Sequence, residues 1–263
     1  MKLNSIEKTK NIRFTSGLSK KDIRFLNAVS TDSAEMYFKK ACMIKTDFNG
    51  NQTFSVLNLL CKNILTKLQH SRVFDNIPFN SNPNSIKVFN ANETARRYPD
   101  TFCISTTKKI IKNQPPYKPI SLFFYNDKIS LEEMNEAAQI AKKNGFNSND
   151  NFLSFTMHEW MHGVHLNYLY KKNNFDEQKV IDEIKKIKEI NFSNYEKSII
   201  QEYLGEYVFN NGKINPMEVA AEGLNKIICS CLSKDKVLIA SSIDESAHNL
   251  QTELIAIIKK AIH

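Results

Sequence analysis

Apolar positions recur every three to four residues along most of the chain, and that period lapses in one central stretch. Ser19 reads as the N-cap of a first helix in which Ile23, Leu26 and Val29 share a face. Thr31-Asp32-Ser33 restarts a second helix through Met36, Phe38, Ala41 and Ile44. After a turn at Asp47–Asn51, Phe54, Leu57, Cys61, Ile64 and Leu68 predict a third helix over Thr53–Ser71, with His70 as a surface or capping histidine. Asn80-Ser81-Asn82-Pro83-Asn84 ends the pattern. It predicts a boundary between a helical N-terminal region, residues 1–80, and the remainder, residues 84–263.

Beyond that boundary three short runs read as strands: Ile86–Phe89, Phe102–Ser105 and Ile120–Tyr125. Leu131–Lys143 predicts an amphipathic helix ended by Asn144-Gly145. The polar loop Asn147–Asn151 opens the next helix, Phe152–Tyr170, whose apolar residues cover much of its circumference and predict burial. Asp176–Lys188 reads as a charged, exposed helix and Tyr195–Val208 as another helix, followed by a turn at Asn210–Lys213. Asn215 as N-cap and Pro216 at the first helical position open the next helix. The fold class predicted is α+β and mostly helical, with a small sheet.

Composition narrows the function classes. Hydrophobic residues at 41% and charged residues at 24% are ordinary for a globular protein of 263 residues. The net charge of +8 is spread over single and paired lysines, which predicts a solvated cationic surface and no nucleic-acid partner. Five cysteines, an odd number with no C-x-x-C, predict reduced thiols. The start has no apolar core segment of a signal peptide, so a cytoplasmic location is expected, and no apolar run is long enough to span a membrane.

The buried helix carries the chemistry. His158-Glu159-Trp160-Met161-His162 is H-E-x-x-H, and residues four apart lie on one helix face. Two imidazoles can then reach one ion, which zinc accepts at about 2.0–2.1 Å. Glu159, about 100° round the helix from His158, sits where a general base for a metal-activated water belongs. With 6 histidines in the chain, a chance match at these spacings is expected only roughly 0.015 times. The bland alternative is a helix with two satisfied histidines and a solvated glutamate, but ionisable groups inside a buried helix need partners.

A third ligand has two candidates. Glu218 and Glu222 are four apart and share a face. Glu218 also falls at the third helical position, where a capping-box glutamate would fold back on Asn215. One glutamate can bind a metal while the other accepts the free N–H of a ligand histidine.

H-E-x-x-H followed by a helix with E-x-x-x-[DE] resembles the gluzincin metallopeptidases. Asn215-Pro216-Met217-Glu218-Val219-Ala220-Ala221-Glu222 is similar to a helix of their lethal-factor-like branch of bacterial toxin, effector and phage-encoded proteases. The resemblance spans roughly residues 150–228. It implies a zincin-type core with zinc between two helices, held by His158, His162 and Glu218, with Glu159 as base and Glu222 behind a ligand histidine. It also implies an edge strand that pairs with extended substrate, and a tyrosine seven residues before the ligand glutamate as oxyanion donor. That position is Asn211; Tyr207 is the nearest tyrosine, with the Asn210–Lys213 turn read as a displacing insertion. The metzincin pattern fails, because His165 and Tyr168 stand where it needs glycine and histidine. His165 reads as structural or cleft-lining. The function expected is a zinc-dependent endopeptidase acting on a protein substrate, with an effector exported to cleave a host protein as one form the resemblance allows. The alternative is a non-catalytic structural or binding protein that keeps zinc as a fold staple.

Overall fold

A helix that is apolar nearly all round must be largely covered, and most of the helix carrying His158 is buried. The computed structural model describes residues 61, 64, 86–88, 103–108, 120–125, 131–150, 153–233 and 245–263. Cys61 and Ile64 are helical and buried there; the other predictions for residues 1–80 and the boundary at Asn80–Asn84 fall outside these residues.

Three strands come first: β1 (Ile86–Val88), β2 (Cys103–Lys108) and β3 (Ile120–Tyr125). They form one sheet in the order β1-β3-β2, with β1 parallel and β2 antiparallel to β3. β2 runs to Lys108, past the predicted Ser105, because it pairs residue for residue with β3 from Cys103↔Tyr125 to Lys108↔Ile120. The extension Thr106-Thr107-Lys108 is polar and carries no apolar alternation from which a strand could be read.

Helices follow: α1 (Leu131–Lys143), α2 (Leu153–Lys172), α3 (Glu177–Lys188), α4 (Asn194–Leu204), α5 (Pro216–Ser233) and α6 (Glu245–Ile262). α1 ends in a Schellman turn: Phe146 N–H bonds Ala141 O at 2.8 Å and Gly145 N–H bonds Lys142 O at 3.0 Å. Asp176 caps α3 through the Gln178 and Lys179 amides, and Ser193 with Glu196 forms a capping box on α4.

The predicted Tyr195–Val208 helix is broken in two. α4 stops at Leu204, and a 3-10 turn, Glu206–Val208, follows Gly205 at φ +78. A Cβ on Gly205 would stand 2.7 Å from the carbonyl oxygens of Gly145 and Phe146, so only glycine fits the close approach. Glu206 and Tyr207 then donate their amides to those same carbonyls, each at 3.0 Å. The Asn210–Lys213 turn is a small hairpin, β4 (Phe209–Asn210) against β5 (Lys213–Ile214). Asn211 and Gly212 both take positive φ, as a two-residue Asn-Gly turn demands.

The core lies between α2 and its neighbours. α5 runs along α2, β2 lies on another side of it, and α6 packs on α5. Met157, Trp160 and Met161 of α2, Val219, Ala220 and Ile228 of α5, and Leu254, Ile257 and Ile258 of α6 are all buried. Each large side chain so buried contributes about 1.5–3 kcal/mol. α3 closes one end, where Val180 and Ile187 pack with Leu169 and Tyr170. The α5–α6 approach is close because position 223 lacks a side chain: a Cβ on Gly223 would meet Ile258 Cγ1 at 2.4 Å. Polar ties fasten α6. His165 Nε2 donates to Ile262 O at 3.1 Å, Tyr195 Oη donates to Glu253 at 2.6 Å, and Lys260 Nζ reaches both oxygens of Glu196 at 2.9 and 3.0 Å. Among the described residues no helix is long and apolar enough to cross a membrane.

Candidate metal centre

Helical spacing puts His158 and His162 on one face of α2, and the packing of α5 against that face supplies a carboxylate. His158 Nε2 and His162 Nε2 are 3.0 Å apart. Glu218 Oε2 lies 3.1 Å from each. The three atoms thus form a nearly equilateral triangle. A tetrahedral ion at about 2.0–2.1 Å from each donor spaces them roughly 3.3 Å apart, only slightly wider. His158, His162 and Glu218 could hold a metal ion.

Proton bookkeeping supports that reading of the triangle. His158 Nδ1 lies 2.7 Å from Glu222 Oε2, and an ionised carboxylate only accepts, so Nδ1 carries the hydrogen. In neutral His158 the Nε2 lone pair then faces the Glu218 oxygen and the second Nε2. Where His162 too carries its hydrogen on Nδ1, three acceptors face one another and repel unless a cation, a proton or a metal ion, stands among them. Without metal the role falls to a proton. Burial pulls His158 down, but its hydrogen bonds to Glu218 and Glu222, with the nearby Glu159 charge, outweigh it and raise the imidazole to about 10. Burial pushes Glu218 up, yet its bonds to the two histidines hold it well below the usual carboxylate range. These are two views of one ion pair.

The sequence left Glu218 between a ligand and a cap. Asn215 caps α5 without it: its side-chain oxygen accepts from Met217 N–H at 3.1 Å. The Asn215 N–H, which a capping-box glutamate would take, is spent on Val208 O at 2.8 Å. Glu218 is therefore free to face the histidines. Glu222, one turn on, stands behind His158 and does not reach the triangle's centre.

Glu159 is buried beside His158. Tyr207 reaches the site too: its ring meets that of His158 edge to face at 4.9 Å and that of Phe146 at 5.5 Å. The 3-10 turn and its two backbone bonds to Gly145 and Phe146 put it there. His165, one turn on from His162, is buried against the end of α6; burial, with the nearby His162 and His263, pushes it down to about 4. Cys229 is buried on α5, where its thiol bonds Asn225 Oδ1 at 3.4 Å.

Two partners of Glu222, Ser148 and Asn225, and the lysine behind Ser148 escaped the sequence reading. Ser148 donates both its N–H (3.2 Å) and its hydroxyl to Glu222 Oε1, and Asn225 Nδ2 donates to Oε2 at 3.0 Å. Lys226 Nζ holds the Ser148 carbonyl at 3.0 Å. Asn225 is three residues from Glu222 on the same helix, a spacing that could have revealed it. Ser148 is 74 residues away, and no local pattern connects them.

The triangle is open on one side. The His158 side chain is 6% exposed, against 21% for His162 and 25% for Glu218. No protein-family model, curated protein or solved structure matches the chain.

Proposed function

We propose that this protein is a zinc-dependent endopeptidase that cleaves peptide bonds of a protein substrate. The observation that carries the reading is the three-donor triangle of His158, His162 and Glu218, open toward His162 and Glu218, with Glu159 on the same helix. Structural zinc sites are closed by four protein ligands, whereas catalytic ones keep a position for water or substrate. When bound, zinc would supply Lewis acidity, lowering the pKa of a water and polarising the scissile carbonyl.

The chain's own groups do the rest. Glu159 takes the proton of the attacking water and passes it to the leaving amine. Tyr207, beside His158, offers its hydroxyl to the carbonyl oxygen as negative charge develops there. Glu222 fixes the His158 ring through Nδ1. Among the described residues β2 is an edge of the sheet and packs against α2, where its outer edge would align extended substrate backbone. The likeness to toxin and effector proteases extends the proposal to a host protein as substrate.

The test is metal content together with cleavage of a synthetic peptide pool read by mass spectrometry, comparing wild type with Glu159→Gln. The expected result is about one zinc per chain in both proteins. Cleavage by the variant should be slower by about 10²–10⁴-fold, the usual worth of a general base. Equal cleavage by both would remove Glu159 from the chemistry. Zinc without cleavage by wild type would leave a fold staple instead of an enzyme.

A further inference from the structure

A carboxylate that orients a ligand histidine must itself be held, and Glu222 is held by a loop from the other side of the site. Ser148 lies between α1 and α2, and it meets Glu222 Oε1 twice, through its amide at 3.2 Å and through its hydroxyl. Asn149 Nδ2 donates to Ser148 Oγ at 2.9 Å, so that oxygen is already an acceptor and its own hydrogen is directed at Glu222. Lys226 Nζ anchors the Ser148 carbonyl at 3.0 Å. Asn225 Nδ2 occupies one side of Glu222 Oε2 at 3.0 Å and leaves the other for His158 Nδ1 at 2.7 Å. Ser148, Asn149, Glu222, Asn225 and Lys226 are all buried, so water does not compete for these bonds.

We propose that Ser148 is a positioning residue of the metal centre: by clamping the Glu222 carboxylate it fixes the ring plane and tautomer of His158, so that the Nε2 lone pair faces the ion. The inference rests on the proposed metal site and adds the α1–α2 loop to it. The reach is through two hydrogen bonds, Ser148 to Glu222 and Glu222 to His158. The backbone amide bond survives removal of the hydroxyl, so the effect belongs at the lower end of what outer partners of metal ligands contribute.

The experiment measures Zn2+ affinity of the full chain by chelator competition, with the visible absorption of the Co2+-loaded protein as a second reading. Ser148→Ala is expected to weaken Zn2+ binding about tenfold and to shift the Co2+ bands, and Ser148→Thr, which keeps a hydroxyl, to restore both. A side chain that served only the fold would leave the Co2+ bands in place. Lys226→Met, which frees the Ser148 carbonyl and leaves the Ser148 hydroxyl in place, is the second variant and should shift the bands the same way even if Ser148→Ala does not fold. Wild-type affinity and unchanged bands in both variants would overturn the role of Ser148 while leaving the metal site standing. A wild-type chain that binds no Zn2+ would overturn the site and this role together.

Discussion

Adding Zn2+ to the metal-free chain near neutral pH should release at least one proton, with His158 as the expected source. In the metal-free chain the Glu218 and Glu222 carboxylates hold that imidazole protonated up to about 10. Its other hydrogen stays on Nδ1, donated to Glu222, so the hydrogen that must leave for a metal is the one on Nε2. Apparent Zn2+ affinity should therefore climb about tenfold per pH unit, or about 100-fold from roughly pH 6.5 to 8.5, where His158 remains protonated without metal. The same raised value governs the metal-free fold. It lies above the ordinary 6.5, so the stability contributed by the His158 pair is whole below that pH and is lost as pH rises through about 10. Titration calorimetry in two buffers of different ionisation enthalpy counts the protons. Identical heats in both buffers, with an affinity flat across that pH range, would refute the reasoning.

The two glutamates of α5 should differ in kind. Glu218→Ala removes one of three donors and should all but abolish zinc uptake, whereas Glu222→Ala should weaken affinity by about 10–100-fold, as chelator competition will show. His165 predicts acid sensitivity. Burial holds it down to about 4 in the fold. Unfolded, it takes a proton near 6.5, so stability is unaffected above that pH and falls as pH drops toward about 4. Denaturant titrations of His165→Gln between these values should show a pH slope smaller by about one proton; an unchanged slope would place the acid-sensitive group elsewhere.

Local geometry was legible in the sequence because it depends only on neighbours along the chain. The i,i+4 spacing of His158 and His162 puts them on one face of any helix, and the all-round apolar composition of α2 required its burial. Asn144-Gly145 and Asn211-Gly212 marked chain reversals because few other residues tolerate positive φ. α6 was equally legible, with Leu254, Ile257, Ile258 and Ala261 at helical spacing, yet it was not read as a helix. The break at Gly205 was hidden, since only the carbonyls of Gly145 and Phe146, brought there by the fold, make that glycine necessary. The polar end of β2 was hidden too, because its strand state comes from pairing with β3. Above all, tertiary packing decided which glutamate faces the histidines. Glu218 and Glu222 share a helix face, and either could have served. The Val208–Asn215 bond sets the start of α5, the contact with α2 sets its rotation, and Ser148, from a loop far away in sequence, holds Glu222 behind His158.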